Sequence, residues 1–128
     1  MQLTFCWIDE HGALTPRCEC DVVNVDGFCL LTTILMDDGG CGYERSLDWL
    51  NEGLKRINSV LSGKSESLDW DREAWGASIT TQQVRIYSLF DESYFQDFRP
   101  EQFQMALVTW KSFLLSPAST GSTKVVEV

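Results

Sequence analysis

Cysteine is the residue type in this sequence with the widest chemical repertoire. Five cysteines occur, an odd number, and all lie in the first third of the chain. An odd set cannot close into disulfides within one chain, so free thiols in a reducing compartment are expected. A tetrahedral zinc site would draw on the four thiols of Cys18, Cys20, Cys29 and Cys41. Because the usual Cys-x2-Cys spacing is missing and free cysteine packs well as a small hydrophobe, we expect structural thiols without metal, with a metal-binding or thiol-based regulatory protein as the alternative.

The sequence gives little indication of a catalytic or cofactor-binding motif. The single histidine, His11, lies in a turn-like segment, so no Ser-His-Asp or Cys-His arrangement is indicated. Glycines in residues 39–42 precede a predicted helix, which is where a phosphate-binding loop would lie. That segment lacks the Walker lysine, and Asp37 and Asp38 would repel phosphate. We therefore expect a protein that is not an enzyme and holds no cofactor.

The acidic residues point to a protein partner. The net charge is −9, from 19 acidic and 10 basic side chains. Such a field repels nucleic acid and anionic membranes and steers a basic partner towards the surface. Two acidic segments also contain aromatic residues, and interfaces commonly combine aromatic anchors with a charged rim. The candidate partner-binding residues are Asp69, Asp71, Asp91, Glu92, Tyr94, Phe95 and Asp97.

The first 40 residues predict a three-stranded meander. Residues 3–8 are rich in strand-forming side chains and precede a turn-like segment. Residues 18–25 and 28–36 are two apolar runs separated by Asp26-Gly27, and an Asp-Gly pair in this position is typical of a β-hairpin. We therefore predict that the second and third strands pair across this turn.

The remainder of the chain predicts two helices separated by two strands. Apolar residues at steps of three and four indicate a helix over residues 46–61, although Gly53 within it weakens a helix by about 1 kcal/mol relative to alanine. Residues 74–79 and 83–90 read as strands, and 91–99 as an acidic, aromatic loop. Pro100 begins a second helix with a wide apolar face.

These elements predict an α+β fold with the helices packed on an antiparallel sheet of about five strands. Residues 1–116 form the predicted single domain, and the small, polar residues 117–128 form a predicted flexible tail. No apolar run is long enough to cross a membrane. The N-terminal residues lack the basic and apolar regions of a signal peptide. We therefore expect a cytoplasmic protein.

The second half of the chain, from Trp70 to Leu115, has a layout that resembles a known class of proteins. A Trp-containing segment at residues 70–76 leads to a strand that ends in an acidic turn, at residues 84–92. The layout closes with a helix of the form Phe-x3-Leu-x2-Trp-x2-Phe-Leu, matched by Phe103, Leu107, Trp110, Phe113 and Leu114. It resembles that of small bacterial immunity proteins of polymorphic-toxin and contact-dependent growth inhibition systems.

The resemblance implies a cytosolic antidote that binds the toxic domain of a cognate effector, often a nuclease, and covers its active site. The acidic composition is independently consistent with such a partner, because a nuclease carries a basic groove for nucleic acid. The matching residues are structural, so the resemblance assigns no binding residue.

Overall fold

Two antiparallel sheets and three helices make up the chain in the computed structural model, which describes all 128 residues. The strands are β1 (Gln2–Glu10), β2 (Ala13–Cys20), β3 (Ser67–Asp71), β4 (Trp75–Thr80), β5 (Val84–Ser88), β6 (Asp91–Phe98) and β7 (Thr123–Glu127). The helices are α1 (Leu30–Met36), α2 (Ser46–Leu61) and α3 (Pro100–Leu115). The predicted α+β class is confirmed, with two sheets in place of one. No helix combines the length and the apolar character that a membrane span needs.

The first sheet has the strand order β2-β1-β7. A tight turn at His11 and Gly12 joins β1 to β2, and both residues have positive φ, at 55° and 85°. The Asp9 carboxylate accepts the Gly12 N–H at 2.9 Å, which stabilises this turn. The first hairpin of the chain therefore lies at residues 2–20, one strand earlier than the predicted one.

The predicted hairpin around Asp26-Gly27 is wrong. Strand β2 ends at Cys20, Asp26-Gly27 forms a turn within an exposed loop, and most of the run 28–36 is helix α1. The apolar residues of this run recur at helical spacing and are buried on one face: Leu30, Leu31, Ile34 and Leu35. Tertiary burial of that face selects the helix over the strand that the Asp-Gly pair indicated.

The predicted flexible tail over residues 117–128 contains strand β7. This strand pairs antiparallel with β1, with Leu3 opposite Val126 and Phe5 opposite Lys124. Val126 is half-buried and packs against the core. The pairing occurs because β1 would otherwise expose a row of unpaired backbone groups along its second edge.

The second sheet has the strand order β3-β4-β5-β6. The predicted strands at residues 74–79 and 83–90 are confirmed as β4 and β5, and the predicted helices are confirmed as α2 and α3. The segment 91–99, predicted as a loop, is largely strand β6. Its aromatic side chains favour a strand, and pairing with β5 outweighs the turn character of its acidic residues.

Helix α2 crosses the second sheet directly over Trp70. A Cβ atom at Gly53 would lie only 2.6 Å from the Trp70 ring, so the helix can approach this closely only with glycine there. The Trp70 ring also stacks on Trp49 at 4.0 Å between centroids and meets the edge of Phe103 at 5.8 Å. This packing offsets the low helix propensity of Gly53.

Replacing Gly53 with alanine should lower stability although alanine is the better helix former. The methyl group would overpack a ring that is held on two sides, at a cost of about 1–3 kcal/mol, against about 1 kcal/mol gained in helix propensity. We expect the overpacking cost to exceed the propensity gain, with a net loss of up to about 2 kcal/mol in the free energy of unfolding, measured by urea denaturation. Lys55→Ala, at an exposed position of the same helix, is the control and should change stability by less than about 0.5 kcal/mol. A Gly53→Ala variant as stable as the unmodified chain would contradict the close approach.

Candidate functional site

The four-stranded sheet has one covered face and one open face. Side chains alternate along each strand, and the covered set includes Trp70 on β3, Ile79 on β4 and Ile86 on β5, all fully buried. Helix α2 contacts β3 and β4 on this side, and α1 contacts β4 and β5. The alternate residues of each strand therefore face solvent.

The strand register places most of the candidate partner-binding residues together on the open face. Residues directly opposite one another on neighbouring strands share a face. One row across the four strands consists of Asp69, Ser78, Arg85 and Asp97, and the next consists of Asp71, Gly76, Tyr87 and Phe95. Two separate acidic segments of the sequence thus form one surface, which we call the open acidic face.

A bulge in β6 adds Glu92 to this face. The pairing of β5 with β6 shifts register between Tyr87 and Ser88, because Tyr87 lies opposite Phe95 but Ser88 lies opposite Asp91. Such a bulge redirects the side chains of the extra residues. The result is a shallow depression of about 280 Å³, lined by Asp69, Ser78, Arg85, Tyr87 and Glu92.

Tyr87 lies across the centre of the open acidic face because Gly76 leaves room for it. A Cβ atom at Gly76 would lie 2.9 Å from the Tyr87 ring and 2.7 Å from the Asp71 carboxylate. Burial is the main cause that raises the pKa of Tyr87 above its ordinary value. The negative charges of Asp71, Asp69 and Glu92 raise this pKa further. The Tyr87 phenol therefore stays neutral although three carboxylates lie near it.

Arg85 neutralises one of the candidate carboxylates. Its guanidinium donates two hydrogen bonds to Asp97, at 2.8 and 3.0 Å, and lies 3.8 Å from the centre of the Phe95 ring. No salt bridge engages Asp69, Asp71 or Glu92. These three carboxylates are the charges that the open acidic face can offer to a partner.

Tyr94 and Asp91, the other two candidates, make local contacts away from the open acidic face. The Tyr94 hydroxyl accepts a hydrogen bond from the Asn24 side chain at 2.9 Å, and its ring lies 6.2 Å from Trp75 on the covered side. The Asp91 carboxylate accepts hydrogen bonds from the backbone and hydroxyl of Ser93, at 3.1 and 2.5 Å. Their contacts are those of structural residues.

Sequence reasoning missed two features, the residues at the centre of the open acidic face and the exposed loop at residues 22–28. Arg85 and Tyr87 alternate with the apolar residues of β5 in the sequence, but nothing in the sequence indicates that β3 brings carboxylates close to them. The sequence predicts residues 22–25 and Phe28 in two paired strands with a turn at Asp26-Gly27, whereas the segment is a loop in which Val22, Val23, Val25 and Phe28 are exposed. The Asn24-Val25-Asp26-Gly27 run, which favours a compact turn, was the available signal for this loop.

The cysteines do not gather into a metal site. Cys18 and Cys29 are buried, Cys20 is half-buried and Cys41 is exposed in the loop after α1. No group of three or more His, Cys, Asp or Glu side chains is arranged to hold a metal ion. Burial, aided by the neighbouring Cys29, raises the pKa of Cys20 to about 12 and that of Cys18 still further. Both thiols hold their protons at neutral pH, which makes them poor nucleophiles.

Comparison with known proteins adds no family assignment. Neither the protein-family models, nor the curated proteins, nor the solved structures gave a match to this chain. The geometry and charge of the chain itself are therefore the basis for inferring its function.

Replacing Asp71 with asparagine should lower the pKa of Tyr87. Removing a negative charge beside the phenol makes its ionisation easier, while burial, the larger cause, remains and keeps the pKa above its ordinary value. Carbon NMR of the tyrosine rings during an alkaline titration measures the change. Asp48→Asn, on the exposed side of α2, removes the same charge elsewhere and should leave the titration unaltered. An unchanged or higher pKa in Asp71→Asn would show that the two side chains are not neighbours.

Proposed function

We propose that this chain is an immunity protein that binds and neutralises a cognate basic toxin domain in the cytoplasm. The toxin is most simply a nuclease, and neutralisation is occlusion of its active site, with no turnover and no cofactor. The observation that carries the proposal is the convergence of Asp69, Asp71 and Glu92, without salt-bridge partners, around Tyr87 on an uncovered sheet face.

The charge distribution supports recognition of a nucleic-acid-binding groove. Asp69 and Asp71 lie two residues apart on one strand, so their carboxylates stand about 6–7 Å apart along it. Glu92 approaches from the opposite edge strand. A groove that binds phosphates presents lysine and arginine side chains, and these can pair with carboxylates held on a rigid sheet.

The aromatic side chains on the open acidic face also support its role in binding a partner. Phe95 is 43% exposed beside Arg85, and Tyr87 lies at the centre of the face. Aromatic and arginine side chains account for much of the binding energy in protein interfaces. The net charge of −9 adds long-range attraction to a basic toxin, which raises the rate of encounter.

We predict that a toxic C-terminal domain is encoded immediately upstream of this chain, and the direct test is co-expression of the two. We expect pull-down of a stable complex and rescue of growth, and neither with a toxin domain from an unrelated system. Absence of such a neighbouring domain, or absence of both binding and rescue, would overturn the proposal.

Neutralising the three free carboxylates should slow association with the toxin. In the variant Asp69→Asn, Asp71→Asn, Glu92→Gln, we expect the association rate constant at low salt to fall on the order of tenfold and to depend less on ionic strength. Stopped-flow fluorescence with the purified toxin domain measures both quantities.

The matched control removes the same number of charges from other elements. The variant Glu10→Gln, Glu44→Gln, Asp48→Asn alters exposed residues outside the second sheet and should change the association rate much less. Equal slowing in both variants would assign the effect to net charge and not to the open acidic face.

A further inference from the structure

Strand β6 is an edge strand whose outward backbone groups are unpaired. The Thr80 N–H donates to the Gln83 carbonyl across the β4–β5 turn at 3.0 Å, which fixes the alternation of hydrogen bonds through the sheet. In an antiparallel ladder, every second residue of a strand bonds to one neighbouring strand and the residues between them bond to the other. Counting along the register from this pair, the backbone of Ile86 bonds to that of Gln96. The backbone N–H and C=O groups of Phe95 and Asp97 therefore point away from β5. These backbone groups have no hydrogen-bond partner elsewhere in the chain.

The opposite edge of the same sheet, on β3, contacts helix α2. The same alternation directs the backbone of Asp69 outward from β3, and there its carbonyl accepts a hydrogen bond from the Arg56 guanidinium of helix α2. Exposed edges can recruit a further strand, and proteins usually block them. The edge of β3 is partly blocked and the edge of β6 is left available.

An ordered apolar loop lies beside β6, formed by residues 22–28, which we call the 22–28 loop. Its apolar side chains are strongly exposed: Val22 46%, Val23 52%, Val25 102% and Phe28 56%. Clusters of exposed apolar side chains mark interaction sites in soluble proteins. These four residues lie within seven positions of the sequence, so the exposed apolar side chains are concentrated in one short segment.

Asn24 gives this loop a fixed shape and position. Its side-chain oxygen accepts the N–H groups of Asp26 and Phe28, both at 3.0 Å, and its side-chain amide donates to the Tyr94 hydroxyl of β6. Just beyond the loop, the Leu30 N–H donates to the Gln96 side chain of β6 at 2.9 Å. Tyr94 and Gln96 belong to the covered side of the sheet, so the loop is held on that side of the β6 edge.

We propose that the β6 edge binds an extended strand of the toxin domain, which joins the sheet as a fifth strand. This inference rests on the proposed function and specifies how the toxin is held. Side chains of an added strand alternate between the two sheet faces. Those on one side meet the open acidic face, and those on the other meet the 22–28 loop. The strand that fits therefore alternates basic and apolar residues.

A second copy of this chain fits the edge less well than a basic partner. Each copy carries a net charge of −9, and two copies paired along β6 would bring their acidic faces together. The β6 bulge between Asp91 and Phe95 also limits regular pairing to the last residues of the strand. The occupant is accordingly a short strand of alternating basic and apolar residues from a different protein.

The substitution Phe95→Pro tests the strand pairing. Phe95→Pro removes an outward N–H and the ring, whereas Phe95→Ala removes the ring alone, and the ladder with β5 does not use this N–H. We expect Phe95→Pro to bind the toxin domain on the order of tenfold more weakly than Phe95→Ala in calorimetry, since one main-chain hydrogen bond is lost. Circular dichroism and thermal unfolding establish that both variants fold.

Hydrogen exchange on the unmodified chain provides a second measurement that needs no substitution. The amides of Phe95 and Asp97 should exchange at least tenfold more slowly in the toxin complex than in the free chain. If the toxin binds but these amides gain no protection, and Phe95→Pro matches Phe95→Ala, strand addition is overturned while the proposed function stands. If the unmodified chain fails to bind the toxin, both fall. Protection that grows with the concentration of this chain alone would assign the edge to self-association and overturn the proposed occupant.

Discussion

The contact between the Trp70 ring and helix α2 determines which face of the second sheet is available for binding. Because Gly53 has no side chain, helix α2 lies directly on the ring; Trp49 of the same helix stacks on it, and Phe103 of α3 contacts it in a T-shaped arrangement. That packing covers one face of β3 and its neighbours. The alternation of strand side chains then presents the carboxylates of Asp69 and Asp71 on the opposite face. The contact between Trp70 and α2 therefore determines both how this side of the sheet is packed and which face carries the carboxylates.

Hydrogen bonds of Asp37 connect the first third of the chain to the second sheet. The Asp37 carboxylate, at the end of α1, accepts the backbone N–H groups of Ala74 and Trp75 in the β3–β4 turn, at 2.9 and 3.3 Å. The Asp37 carbonyl accepts a hydrogen bond from Arg72, whose guanidinium lies 3.9 Å from the centre of the Trp49 ring. An acidic residue that composition alone would assign to a solvated loop thus anchors the turn beside the candidate surface.

The parts of the fold that the sequence predicted are those with strong, uninterrupted periodicity. Helices α2 and α3 and strands β4 and β5 followed from their apolar spacing. Helix α1 did not, because a seven-residue apolar run is compatible with strand or helix until its packing partners are known. Strand β7 depends on a pairing partner more than 100 residues away, which no local pattern encodes.

The sequence predicts which types of residue form the candidate surface but not how they are arranged in space. Asp69, Asp71, Glu92, Phe95 and Asp97 were chosen as acidic or aromatic residues, and the register of four strands brings them together. Register could not be derived from one sequence, so the neutralisation of Asp97 by Arg85 was unforeseen. The sequence predicts residues 91–99 as a loop, in which Tyr94 would be available to a partner. In a strand, alternation places it on the covered face instead.

The pairing of β1 with β7 has a consequence for the order of folding. These strands join residues separated by about the whole chain, whereas β3 to β6 pair as successive hairpins between close neighbours in sequence. Contacts between distant residues carry a larger loop-closure entropy and form more slowly. The four-stranded sheet that bears the open acidic face can therefore form completely while β7 has still to pair with the hairpin of β1 and β2.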